Sequence, residues 1–142
     1  MNRPGPLSAD AIAFIREQAF LIVATANAAG DADCSYRGRQ PRGDGTFEPL
    51  VDAPDRGTLV LPDFAGNNLF NTLGNLLVNP GIALLFVDFA RQTTWRVQGR
   101  ASIDEDARRW AHIWPAAQRY VVVAVDTADR RTDAGLPMLV PA

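Results

Sequence analysis

The chain has 142 residues, of which 47% are hydrophobic, and its 14 basic and 16 acidic residues give a net charge of −2. This length fits one domain, 1–142, with a sizeable core, and the hydrophobic share excludes a disordered chain. The near-neutral charge gives no long-range attraction to nucleic acid. With one cysteine, Cys34, no internal disulfide is possible, and no apolar stretch is long enough to cross a membrane. We therefore expect a cytoplasmic protein without nucleic-acid or membrane partners.

The N-terminal part of the chain predicts a helix followed by a β-hairpin. Ser8 is a typical N-cap residue for a helix that ends near Ala19. The apolar, β-branched run 20–26 predicts a strand, and the alternating run 32–37 predicts its hairpin partner.

The next part predicts a second hairpin and a central helix. Runs 47–51 and 58–61 form the hairpin strands around a turn at 54–57, which contains proline and glycine. A helix then begins at about Gly66 and ends before Pro80, because a residue that precedes proline is disfavoured in the helical region.

The last part predicts three strands and one more helix. The strands are 82–89, 93–103 and 119–125, and the helix covers 104–117 with acidic residues at its start. The tail 126–142 is weakly patterned. Short strands in hairpin order favour an antiparallel sheet closed into a barrel, so the fold class is mainly β with flanking helices (α+β).

The central helix has an unusual outer face, because the segment 64–87 contains no charged residue. A surface helix usually exposes charged side chains. One interpretation is that its start binds an anion through exposed amides and backbone N–H groups. The other is that the helix packs against a partner subunit. Its amide face comprises Asn67, Asn68, Asn71, Thr72, Asn75 and Asn79.

Few residues in the chain suggest direct chemistry. The only histidine, His112, has no metal-ligand spacing around it, and we interpret it as structural. Cys34 has no nearby histidine and is not expected to be a nucleophile. Without lysine, covalent pyridoxal-phosphate chemistry is excluded. Arg37 stands at the end of a predicted strand, where its guanidinium is able to bind a phosphate.

Several segments, in this order and with these gaps, resemble the pyridoxamine 5′-phosphate oxidase-like family of flavoproteins. The resemblance covers about 20–103. The segments are 33–38, 58–68, 73–75, 79–80, 84–89 and 95–101.

The resemblance implies an antiparallel split β-barrel that forms a homodimer and binds FMN between its subunits. It implies that the protein is an FMN-dependent oxidoreductase, with no catalytic residue identified and the substrate unknown. The cofactor-binding residues that it implies are Ser35, Arg37, Pro62, Asp63, Asn67, Asn68, Thr94 and Trp95.

The sequence departs from the family at the start of the central helix. The well-characterised oxidases carry basic residues there, whereas this chain has Asn68 and Leu69. The alternatives are therefore a module that binds flavin, deazaflavin or haem without turnover, and a dimer that has lost its cofactor. The sequence predicts no metal site.

Overall fold

The computed structural model describes residues 5–64, 74–76, 78–132 and 135. One helix and seven strands are the named elements of this part of the chain. They are α1 (Ala9–Glu17), β1 (Phe20–Ala26), β2 (Ala32–Gly38), β3 (Asp52–Asp55), β4 (Thr58–Asp63), β5 (Gly81–Asp88), β6 (Thr93–Asp104) and β7 (Arg119–Arg131). The strands form one antiparallel sheet in the order β2-β1-β5-β6-β7-β4-β3, which confirms the predicted mainly β, antiparallel fold.

Helix α1 covers one side of the core. The Ser8 hydroxyl accepts a hydrogen bond from the Ala11 backbone N–H at 3.1 Å, as an N-cap residue does. Phe14 and Ile15 are buried against the sheet. The helix ends at Glu17 rather than near Ala19, because Gln18 is extended and its side chain returns to the Phe14 carbonyl.

Alternation along the strands separates an inner face from an outer face. In β1, Leu21 and Val23 are buried in the core, while Ile22 and Ala24 between them are partly exposed. The inward residues of β1, β5, β6 and β7 form one apolar cluster with α1. The sheet curls so that Arg37 of β2 and Leu61 of β4 line the same cavity, although their strands lie near opposite ends of the strand order. This curvature gives the split-barrel form.

The second hairpin is displaced relative to its prediction. β3 is Asp52–Asp55, and the predicted strand 47–51 is mostly loop, with a single bridge between Phe47 and Pro41. The turn follows at residues 56–57, where the Asp55 carboxylate accepts a hydrogen bond from the Gly57 N–H at 2.8 Å. This side-chain contact closes the turn later than the proline at position 54 suggested.

The predicted helix 104–117 is wrong. The segment consists of turns, because Asp104 and Asp106 each accept a hydrogen bond from the backbone N–H two residues later. Trp114 is fully buried, and its indole N–H donates to the Pro49 carbonyl at 2.8 Å. Tyr120 donates to the Ala107 carbonyl at 2.6 Å. Tertiary contacts therefore replace helical periodicity here.

The last strand is longer than predicted. β7 continues past Val125 to Arg131, because β6 is long enough to pair with it as far as the contact between Thr94 and Arg131. Residues 126–131 are mostly exposed, which explains their weak hydrophobic pattern.

Only residues 74–76 and 78 of the predicted central helix are described, and they are helical. The Asn75 side-chain amide donates to the Thr25 hydroxyl at 3.0 Å and to the Asp33 carboxylate at 3.4 Å. This amide is therefore paired within its own chain, whereas Asn71 lies outside the described residues. Among the described segments, no helix is long and apolar enough to span a membrane.

Candidate functional site

Arg37 is a buried cation at the end of β2. Its side chain points inward, and only 8% of the residue is exposed. Its Nε and Nη2 atoms are buried and have no hydrogen-bond partner within the part of the chain that the structure describes. Burial lowers the pKa of Arg37 to about 10, and the nearby Asp63 carboxylate opposes this shift. A guanidinium in this state has unused donors suited to a bidentate oxyanion.

Arg37 lines a cavity of about 100 Å³ between β2 and β4. Pro62 contributes to the same wall, so the structure brings two of the predicted site residues together. Apolar side chains surround the charged end of the arginine, which strengthens its attraction for an anion. The lining residues are Tyr36, Arg37, Gly38, Gln40, Leu50, Leu61, Pro62 and Phe64.

Asp63 ends β4 beside this cavity. The residue is 5% exposed, and its Oδ2 lies 3.3 Å from Nε of Arg119. Burial raises the pKa of Asp63, while the charges of Arg119 and Arg37 lower it in part. A buried carboxylate therefore stands between two arginines.

The remaining predicted residues on the phosphate side have different positions. Ser35 lies two residues before Arg37 on the same side of β2 and is half-buried. Asn67 and Asn68 lie outside the described residues. The predicted contribution of the helix start to the site therefore stays a prediction.

Thr94 and Trp95 do not line the Arg37 cavity. Trp95 is buried in the core of its own chain, with the Arg130 guanidinium 6.0 Å from its ring centre. It borders a different cavity of about 250 Å³, next to Arg91 and Glu17. Thr94 is half-buried on the outer side of β6. Any contact of these two residues with the Arg37 site would need a second copy of the chain.

Sequence reasoning missed Arg119. Nothing local marks it, because it simply precedes an apolar strand. Its role becomes visible only through the pairing of β4 with β7, which sets Asp63 opposite Arg119. A buried carboxylate at a strand end was the available signal, since it needs a cation nearby.

Two other reactive residues lie away from this site. Cys34 is exposed. His112 is exposed and borders a cavity of about 390 Å³ together with Glu48. In the described segments, no group of three or more His, Cys, Asp or Glu side chains is arranged to hold a metal ion.

Comparison with known proteins adds a family and a fold. The model of the family described as pyridoxamine 5′-phosphate oxidase matches residues 7–139. No curated protein matches the sequence.

Three solved structures share the fold. The protein is similar to HupZ from Group A Streptococcus, with 19% identity, a TM-score of 0.67, and coverage of 89% of this chain and 94% of the other. An F420 reductase is 13% identical, with a TM-score of 0.55 and coverages of 82% and 94%. HutZ, the haem storage protein from Vibrio cholerae, is 13% identical, with a TM-score of 0.51 and coverages of 89% and 94%. At these identities the likeness concerns the fold alone.

Proposed function

The chain belongs to the pyridoxamine 5′-phosphate oxidase family, and on that premise we propose that it binds FMN and acts as an FMN-dependent oxidoreductase of unknown substrate. In this proposal Arg37 binds the phosphate, and Ser35, Pro62, Asp63, Asn67 and Asn68 form the rest of that side. Thr94 and Trp95 belong to the side that a second subunit supplies. The bound flavin would carry the redox chemistry, while the protein binds and orients it.

The observation that carries the proposal is the state of Arg37. Its Nε and Nη2 are buried and without partners among the described residues. Leaving buried donors unpaired costs about 1–3 kcal/mol, and more for a charged group. A ligand phosphate would supply the missing acceptors through charge-assisted hydrogen bonds. The cavity next to Arg37 also fits this interpretation, because Pro62 and apolar residues shield the ion pair from water.

A titration that compares FMN with riboflavin tests the phosphate contact. Riboflavin has the same ring but no phosphate. The variant Arg37→Ala should weaken FMN binding about tenfold to hundredfold, which corresponds to ~1.5–3 kcal/mol for a charged hydrogen bond. Riboflavin binding should not change.

The matched control is Arg39→Ala, because Arg39 lies on the same segment but is exposed. Equal FMN affinity of wild type and Arg37→Ala would contradict the assignment. An equal loss in the Arg39 variant would show that the effect is only general charge.

Reduction kinetics test the catalytic part of the proposal. We expect the FMN-loaded protein to be reduced by NADH or NADPH in anaerobic stopped-flow experiments, and to be reoxidised by a substrate or by oxygen. Absence of bleaching with both donors would favour a module that binds the cofactor without turnover.

Haem and deazaflavin are the alternative ligands, since one fold relative is named a haem storage protein and another an F420 reductase. A haem needs an axial ligand, and the only histidine, His112, is exposed beside a cavity of about 390 Å³. The absorption spectrum of the purified protein separates the candidates. A Soret band that His112→Ala abolishes would favour haem, and its absence would leave FMN and F420 to be compared by titration.

We also propose that the protein is a homodimer, and the outer face of three strands supports this. Ile22 pairs with Tyr36 on one side and with Leu85 on the other. In the next outward row, Ala24 pairs with Cys34 and Ala83. All of these residues are at least partly exposed, and none is charged. We call this set the β1 face.

The β1 face suits an interface between identical chains. An uncharged patch of this kind is self-complementary across a two-fold axis. Its border on β6 is polar, because Arg96 and Gln98 are the neighbours of Leu85 and Ala83. An apolar centre with a polar rim is the usual anatomy of a stable interface. The alternative of a dimer without cofactor predicts the same assembly but no flavin binding.

A further inference from the structure

Arg119 begins β7, next to the strand that ends at the Arg37 cavity, and it is not among the residues that line the cavity. We propose that Arg119 is a positioning residue of the anion site. It holds the Asp63 carboxylate in an ion pair, and so leaves the N–H groups of Arg37 free for a phosphate. This inference rests on the proposed phosphate site.

Strand pairing fixes the contact between Asp63 and Arg119. The two residues are direct partners in the register of β4 and β7. The backbone N–H of Gln118 donates to the Asp63 carbonyl at 2.7 Å, which ties the end of β4 to the start of β7. The side chains therefore meet with little loss of freedom, and the Arg119 Nε is itself buried. Such a preorganised pair holds the carboxylate in one place.

The charges around Asp63 show what Arg119 prevents. Arg119 and Arg37 are the two cations that lower the pKa of this carboxyl. Among the described residues, the ion pair within 4 Å is with Arg119 and not with Arg37. Without Arg119, Arg37 would be the remaining cation for a carboxylate that is 5% exposed. A buried carboxylate draws strongly towards a single counter-ion, and this pairing would occupy the donors that the phosphate needs.

Glu105 does not compete strongly for Arg119. Its Oε1 is 3.9 Å from Nη1 of Arg119, and its side chain is 70% exposed. Exposed pairs of this length contribute little, because water screens them. Asp63 is therefore the main partner of Arg119 in the described part of the chain.

FMN and riboflavin titrations of Arg119→Gln provide the first test. We expect FMN affinity to fall about threefold to tenfold, the effect of losing one nearby partly screened charge interaction. Riboflavin affinity should stay the same, since it has no phosphate. Arg109→Gln is the matched control, because Arg109 forms an ion pair with Asp104 that does not border the cavity.

A double-mutant cycle separates positioning from simple charge. In the Asp63→Asn background no carboxylate competes for Arg37, so Arg119→Gln should there have little effect on FMN affinity. An equal loss in both backgrounds would show that Arg119 acts only through its long-range charge, and this would overturn the inference. Cycles of this kind isolate the coupling between two contacting residues.

Two further variants keep the outcomes distinct. If Arg37→Ala leaves FMN affinity unchanged, the proposed phosphate site itself fails. If Arg37→Ala weakens FMN binding but Arg119→Gln does not, only the role of Arg119 fails. Arg119→Lys replaces the glutamine variant if the latter does not fold. It keeps the charge without the planar fork, so an FMN loss that Asp63→Asn removes would support positioning, and a loss that persists would overturn it.

Discussion

Asp63 and Arg119 face each other across the β4–β7 pair, with Oδ2 of the carboxylate 3.3 Å from Nε of the guanidinium. On the other side of this pair, Arg37 has buried donors that no described residue satisfies. The three charges are thus unevenly paired in the absence of a ligand. Such an arrangement lowers the stability of the free protein in favour of binding, which is common at functional sites.

The first prediction concerns the stability of the protein without ligand. Replacing Arg37 with methionine removes a charge whose burial already lowers its pKa to about 10. The apolar side chain keeps most of the volume, so the free energy of unfolding should rise by about 1 kcal/mol or more. Urea denaturation of the ligand-free proteins measures this change.

The control is Arg100→Met, because Arg100 is exposed on the outer side of β6 and should change stability little. A clear loss of stability in Arg37→Met would show that the guanidinium supports the fold rather than a ligand.

The second prediction concerns the pH dependence of stability. Burial raises the pKa of Asp63 above its ordinary value. The folded chain therefore binds more protons at this site than the unfolded chain does between the ordinary pKa, about 3.9, and the raised pKa. The stability that this site contributes is fully present below the ordinary pKa and is lost as the pH rises through the raised pKa.

Asp63→Asn removes this titration. The free energy of unfolding of the variant should rise relative to wild type as the pH increases through that window, and the difference should then stay constant. Urea denaturation at a series of pH values measures it. Because Asp44 and Asp106, whose pKa values hydrogen bonds lower, are present in both proteins, their effects cancel. A difference that does not change with pH would contradict the prediction.

The third prediction concerns the contact between β6 and β7 at Gly99. A Cβ added to Gly99 would lie 2.2 Å from the Ala124 carbonyl oxygen, where the register shifts between Gln98 and Gly99. Gly99→Ala must therefore move backbone, and we expect it to destabilise the protein by about 1–3 kcal/mol.

Gly74→Ala is the matched control, because Gly74 is helical and has no atom within 4 Å of its added Cβ. It should stabilise the protein by about 0.5–1 kcal/mol. Thermal denaturation of both variants checks the pair, and equal effects would mean that the close approach at Gly99 is relieved at no cost.

The strands were largely predictable from sequence because alternation is a local signal. β1, β5 and most of β6 follow directly from the apolar and alternating runs. The segment 104–117 was not predictable in this way, since its acidic start and aromatic spacing resemble a helix. Contacts such as Trp114 with Pro49 and Tyr120 with Ala107 decide its conformation, and they join residues far apart in the chain.

The candidate site was predictable only in part. Arg37 at a strand end and Pro62 at the end of the next apolar run were visible in the sequence, and they share one cavity. Arg119 was not visible, because its importance depends on the register between β4 and β7. Burial of Trp95 in its own core was also hidden, since an alternating strand does not show which neighbour covers its inner face.

The last prediction is that a charge on the β1 face prevents dimer formation. Ala24 lies in the middle of this face, between Cys34 of β2 and Ala83 of β5. Ala24→Glu places a carboxylate where two copies would bury it without a partner, which costs several kcal/mol. Sedimentation equilibrium at micromolar concentration should show a dimer for wild type and a monomer for the variant.

Ala124→Glu is the matched control for this test. Ala124 is exposed on β7, outside the β1 face, and the same substitution there should leave the dimer intact. Because Asn75 already donates its amide to Thr25 and Asp33, the central helix supplies no separate reason for a dimer at this residue. The prediction therefore depends on the β1 face. A folded wild-type monomer, or a dimer that survives Ala24→Glu, would contradict it. If the variant is a monomer and also loses FMN, the flavin site requires both subunits, as the positions of Thr94 and Trp95 away from the Arg37 cavity suggest.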